Sequence, residues 1–204
     1  MVYDGSPLRQ LSGLARLMAA KLKTNNRCFY LHRPDMVAEF ESSLAAAGVD
    51  VRKEVQKGSL ILSSDRNHLI NGRFSVDRML GMLANAVDHA LADGYQAFWA
   101  SGDMTWELGE ERNFPKLLEY EWALEDLFER QPALHGVCQY HADTLPTHVV
   151  LQGLRVHRSR YISDELPKEN PYYVPPQLLA WEAANPSNGR LKEMLLDLQN
   201  ALDS

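Results

Sequence analysis

The sequence predicts an α/β protein of three layers, with a mainly parallel sheet covered by helices on both faces, and three observations carry that expectation. Short apolar runs alternate with longer amphipathic segments from Met1 to about Gly153. The runs Arg27 to His32 and Gln96 to Ala100 are apolar at consecutive positions, which suits strands buried on both faces. Helix punctuation falls between the runs: Ser75 is placed to cap a helix start, and Gly48 and Gly94 are placed to stop one.

Met1 to Tyr3 reads as the end of a first strand. Ser6-Pro7 gives a helix start, with Ser as cap and Pro at the first helical position. Leu8, Leu11, Leu14, Ala15, Leu17, Met18 and Leu22 then recur at helical spacing, and Thr24-Asn25-Asn26 ends the segment. Arg27 to His32 is the second strand, followed by a helix from Pro34 to about Ala47; Leu60 to Leu62 is the third strand. Ser63 to Phe74 is a long polar connection with an Asn71-Gly72 turn.

Ser75 caps the strongest helical pattern, whose stripe is Val76, Met79, Leu80, Met82, Leu83, Val87, Ala90 and Leu91. The fourth strand, Gln96 to Ala100, is expected to break at Ser101-Gly102. A loop from Gly109 to Asn113 leads to a helix from Pro115 to about Arg130, with Leu117, Leu118, Trp122, Leu124, Leu127 and Phe128 as core candidates. Leu134 to Tyr140 is the fifth strand, and Pro146 opens a last helix. Tyr161 to Pro176, with its prolines, reads as extended chain laid over the domain. The expected division is a domain over 1–176 and a helical tail over 177–204. In that tail Leu191, Leu195, Leu198 and Leu202 have the spacing of a coiled-coil seam, which points to a homodimer, with packing onto Leu178, Leu179 and Trp181 as the alternative.

Composition bounds the function. With 45% hydrophobic and 24% charged residues the chain is that of an ordinary globular protein, and a net charge of −6 argues against direct nucleic-acid binding. No apolar run approaches the roughly 20 residues that span a bilayer, and no signal segment is read, so a cytoplasmic protein is expected. Cys28 and Cys138 are expected to be free thiols on strands toward opposite edges of the sheet.

The stretch Gly94 to Trp106 delivers Asp103, Met104, Thr105 and Trp106 just past a strand end, where open α/β sheets bind ligands. Two readings of Asp103 stay open: a ligand contact, or a cap for nearby amides. Met104 and Trp106 could line an apolar pocket or pack in the core. Glu119 and Glu121 point about 200° apart on their helix and make no carboxylate pair. Cys138, His141, Asp143 and His148 are metal-ligand residue types, but their spacing fits no zinc pattern; neither a metal nor any other cofactor is expected. No G-x-x-x-x-G-K-[ST] loop and no G-x-S-x-G elbow is present, which speaks against ATP hydrolysis and against a serine nucleophile.

Asn71-Gly72-Arg73-Phe74, Asp77-Arg78-Met79-Leu80, Ser101 to Trp106, Leu117 to Glu121 and Cys138-Gln139-Tyr140 together resemble the MEDS family, the methanogen/methylotroph DcmR sensory domain, from about Val2 to Pro176. The resemblance implies a RecA/KaiC-like fold with a degenerate phosphate loop, here Asp4 to Gln10. It also implies a sensory role, with small one-carbon or halogenated hydrocarbons among the proposed signals. No kinase, receiver or DNA-binding output segment is read, so a regulatory protein partner in trans is expected. The candidate ligand-binding set is Asp103, Met104, Thr105 and Trp106, with Asp4 and Ser6 after the first strand and Tyr140 at the end of the fifth.

Overall fold

The computed structural model describes residues 1–160, 168–175 and 178. In chain order it contains β1 (Val2–Tyr3), α1 (Leu11–Lys23), β2 (Arg27–Leu31), α2 (Pro34–Ala46), α3 (Val51–Lys57) and β3 (Leu60–Ser63). The hairpin strands β4 (Leu69–Ile70) and β5 (Arg73–Phe74) follow, then α4 (Val76–Ala92), β6 (Phe98–Asp103) and α5 (Met104–Glu107). The last elements are α6 (Phe114–Arg130), β7 (Leu134–His141), α7 (Thr147–Val156), β8 (Ser159–Arg160) and β9 (Lys168–Glu169).

The main sheet has the order β1-β7-β6-β2-β3, with every neighbouring pair parallel. The chain first moves from β1 toward the β3 edge and then returns through β6 to β7. Parallel crossovers are right-handed, so a reversal of direction moves the connecting helices to the other face. Accordingly α1 and α2 cover one face, around Leu14, Met18, Phe40 and Leu44, while α4 and α6 cover the other, around Met79, Leu83, Leu117 and Leu124. The period-two alternation of a strand decides which residues meet which layer. Cys28 and Tyr30 face the α1 and α2 layer; Phe29 and Leu31 face the α4 and α6 layer.

Several local expectations change. Helix α1 begins at Leu11, four residues after Pro7: the Gly5 amide is tied to Asp143 Oδ2 at 2.8 Å, Gly5 takes φ 66°, and residues 7–10 form turns before the helix can start. Leu8 is consequently exposed. Ser101 and Gly102 do not break β6; they lie within its ladders, opposite Tyr30 and Leu31 on one side and Val137 and Cys138 on the other. Trp122 and Leu91 are surface residues, since their helices have room for only part of their wide apolar stripes against the sheet. Helix α3 went unread: it is short, capped by Asp50 accepting from the Lys53 amide at 3.1 Å, and closed by Gly58 at φ 76°.

The two thiols are free and lie on opposite sides of the central strand β6, Cys28 on β2 toward the β3 edge and Cys138 on β7 toward the β1 edge. They also face different layers, Cys28 toward the Met18 carbonyl of α1 and Cys138 toward Glu121 of α6. In the described part of the proline-rich segment, Val174 donates its amide to the Arg155 carbonyl at 2.8 Å and Asn170 Nδ2 donates to the His157 carbonyl at 2.7 Å, which lays the chain on the end of α7. The seam helix of the tail lies outside the described residues.

Candidate functional site

Four strand ends build a cavity of about 300 Å³ at the carboxyl edge of the sheet. Tyr3 ends β1, His32 follows β2, Asp103 ends β6 and His141 ends β7. The register pairs Tyr3 with His141 and puts the Tyr3 ring in a stack on the imidazole, with centroids 4.8 Å apart. Thr105 and Trp106 of α5 close the wall, and Arg33, Arg66 and Arg112 reach its rim. Arg66 lies over the Trp106 ring at 5.5 Å, and Arg33 is tied to the Asp35 carboxylate at 2.9 Å.

Asp103 caps a helix and also lines the cavity. Its side chain is buried, and Oδ1 accepts the amides of Thr105 at 3.0 Å and Trp106 at 2.7 Å, starting α5. Oδ2 faces the cavity, accepting the Tyr3 hydroxyl at 3.2 Å and standing 3.8 Å from His32 Nε2. Burial and the adjacent Asp103 carboxylate raise the pKa of the Tyr3 hydroxyl, so Tyr3 stays a donor.

His32 is the member that sequence reasoning missed. Its Nδ1 accepts the Arg33 amide at 2.8 Å, so the neutral ring carries its proton on Nε2. That N–H is buried, has no acceptor within hydrogen-bond distance, and lines the cavity. Burial lowers the His32 pKa, against the opposing pull of Asp103, and so favours the neutral ring. The available signal was parity: counted in twos from Cys28 and Tyr30, His32 shares their face and stands one residue past the strand.

Of the other candidates, Thr105 and Trp106 join Asp103 at the wall, and Thr105 Oγ1 lies 3.2 Å from Thr144 Oγ1. Four do not. Met104 is buried in the α4 and α6 layer, because the first residue of α5 turns under the sheet. Asp4 is exposed and pairs with Arg9 at 3.6 Å, and Ser6 accepts the Leu8 amide at 3.3 Å rather than opening a helix. Tyr140 has the opposite parity to His141: it packs against Gly153 of α7 and donates its hydroxyl to Glu121. The group Cys138, His141, Asp143 and His148 is not assembled, since Cys138 is on that other face while His141 and Asp143 stay at the strand end, 3.7 Å apart.

Two buried glutamates lie away from the cavity, Glu107, which the sequence reading missed, and Glu121, which it weighed only as half of a carboxylate pair. Glu107 lies beneath Gly102, where a Cβ would come within 1.6 Å of its Oε1, and burial raises its pKa well above the usual 4.5. Glu121 is buried between α6 and β7, and burial pushes it up to about 7 against the hydrogen bonds from Tyr140 and Cys138. Its position was legible: four residues after Leu117 and three before Leu124, it shares their helix face.

Among the described residues no helix is long and apolar enough to cross a membrane. No curated protein matches the chain. A family model does, over residues 1–158, which ends just before β8. That model is the methanogen/methylotroph DcmR sensory domain, and with this match the chain belongs to the MEDS family of sensory domains.

Proposed function

We propose that this chain works as a ligand-binding sensory module without turnover, and that its signal is a small molecule held in the cavity at the carboxyl edge of the sheet. The observation that carries the reading is the buried His32 Nε2–H, which has no acceptor and lines a cavity built by four strand ends. An unmade buried hydrogen bond costs about 1–3 kcal/mol, so a ligand bringing an acceptor atom recovers that cost. The Trp106 ring offers an apolar surface beside it. A one-carbon or short hydrocarbon derivative bearing oxygen or halogen combines the two requirements. The RecA/KaiC-like ancestry implied by the sequence resemblance fits a ligand at this edge, with the former phosphate loop reduced to the turns at residues 7–10.

The test is a thermal-shift screen of the full chain against short alcohols, aldehydes, carboxylates and halogenated hydrocarbons, with ATP and magnesium as a separate arm. A ligand at 100 times its Kd stabilises the folded state by about 2.7 kcal/mol, and His32→Phe should abolish that shift while keeping the fold. Phosphate release from ATP, or a shift unchanged in His32→Phe, would overturn the reading.

The response passes to a regulatory partner through protein contacts, and the tail over 177–204 joins two copies of the chain. Its leucine seam is too short to be a stable helix alone in water and has to dock. Light scattering should give a dimer for the full chain and a monomer after truncation at Pro176; an equally dimeric truncation removes the tail as the cause.

A further inference from the structure

A second constellation lies on the opposite face of the sheet, away from the His32 cavity. Glu121 of α6, Cys138 of β7 and His157 after α7 each offer one ligand atom, and the three atoms lie within 4.8 Å of one another. We propose that these residues form a binding site for a divalent transition-metal ion of the zinc class.

The distances support a shared ion. Cys138 Sγ is 3.6 Å from Glu121 Oε2, and His157 Nε2 is 3.4 Å from the same oxygen. A tetrahedral ion with a metal–sulfur bond of ~2.3 Å and metal–nitrogen and metal–oxygen bonds of ~2.0–2.1 Å sets those edges at ~3.6 and ~3.3 Å. Both edges match.

The orientation of each ligand points the same way. His157 Nδ1 meets the Gly153 carbonyl at 2.8 Å, so the neutral ring donates there and turns the Nε2 lone pair toward Glu121. Two sets of lone pairs face each other across that gap, and no hydrogen-bond partner reaches Nε2. A cation resolves the conflict. A backbone carbonyl holding the far nitrogen is the usual support for a metal-bound imidazole. The Tyr140 hydroxyl likewise fixes Glu121 through Oε1 and leaves Oε2 to the site. Thiolate with imidazole favours zinc-like ions over magnesium or calcium. Cys138 and His157 line a cavity of about 380 Å³ with Trp99, Phe128 and His135, which gives an ion a way in and leaves a fourth position for water.

Cobalt(II) is the probe, because it occupies zinc-type sites and colours them. The full chain, stripped with chelator and kept reduced, should take up one equivalent of cobalt, with tetrahedral visible bands and a thiolate-to-cobalt charge-transfer band. Zinc should displace it. Cys138→Ser should remove the charge-transfer band and Cys28→Ser should leave it. His157→Gln, at a partly exposed position that spares the fold, should weaken cobalt binding by more than ~100-fold, beyond the loss typical of an outer-shell partner. A natively folded chain that takes up no cobalt would overturn the proposal and leave a proton shared between Glu121 and His157. Unchanged spectra in either Cys138→Ser or His157→Gln would overturn it equally.

Discussion

At the scale of single residues, Asp103 shows how one side chain can start a helix and shape a cavity. Asp103→Ala removes the acceptor for two amides of α5 and strands the Tyr3 hydroxyl. Loss of such a cap costs about 1–2 kcal/mol, so its urea midpoint should drop, with Asp103→Asn retaining much of the stability through its remaining carbonyl oxygen. An Asp103→Ala variant as stable as the parent would show that the cap contributes nothing. The residue types at this end were legible, because Asp103, Thr105 and Trp106 directly follow an apolar strand. His32 was not, because its importance comes from an unmade hydrogen bond that only the fold around it creates.

At the scale of elements, patterns with strong local causes could be read directly. The Asn71-Gly72 turn is one: both residues take positive φ, 53° and 78°, and they join β4 to β5. Element junctions were harder, since they depend on contacts distant in sequence, as when Asp143 holds Gly5 and delays α1. The seat of α7 on β7 is such a junction. An added Cβ at Gly153 would meet the Tyr140 ring at 2.6 Å, and that ring is buried and held by Glu121, so it has little freedom to give way. Gly153→Ala should cost about 1–3 kcal/mol through overpacking, read as a lower urea midpoint, whereas the same change at Gly81, which has open space around it, should not. Equal midpoints for the two variants would mean that α7 is free to shift. The sheet order was legible only as a class, because apolar runs identify strands without saying which strands are neighbours.

At the scale of the whole molecule, buried titratable groups on both faces set the pH profile. Burial lowers the pKa of His32 and His68 from 6.5, so below that value the unfolded chain binds protons that the folded one refuses. Stability from this source falls as pH drops below 6.5 and is complete above it. Burial acts on the carboxyls in the opposite sense, raising Glu125 to about 7 and Glu107 well above 4.5. Here the folded chain keeps protons that the unfolded chain has released, so stability falls as pH climbs from 4.5 until the folded groups ionise. The two slopes oppose each other between pH 4.5 and 6.5, and above that the carboxyl slope is opposed by the buried Met1 ammonium, whose pKa burial lowers from 8.0. The urea midpoint of metal-free protein should therefore vary gently from pH 4.5 to 8, and a single substitution separates out the carboxyl share. Glu107→Gln removes one ionisable group while keeping its shape, and Glu107 Oε2 has no hydrogen bond to lose. The variant should gain on the parent progressively as pH rises from 4.5 to 8. A Glu107→Gln profile parallel to that of the parent would mean that this carboxyl titrates alike in the folded and unfolded chains.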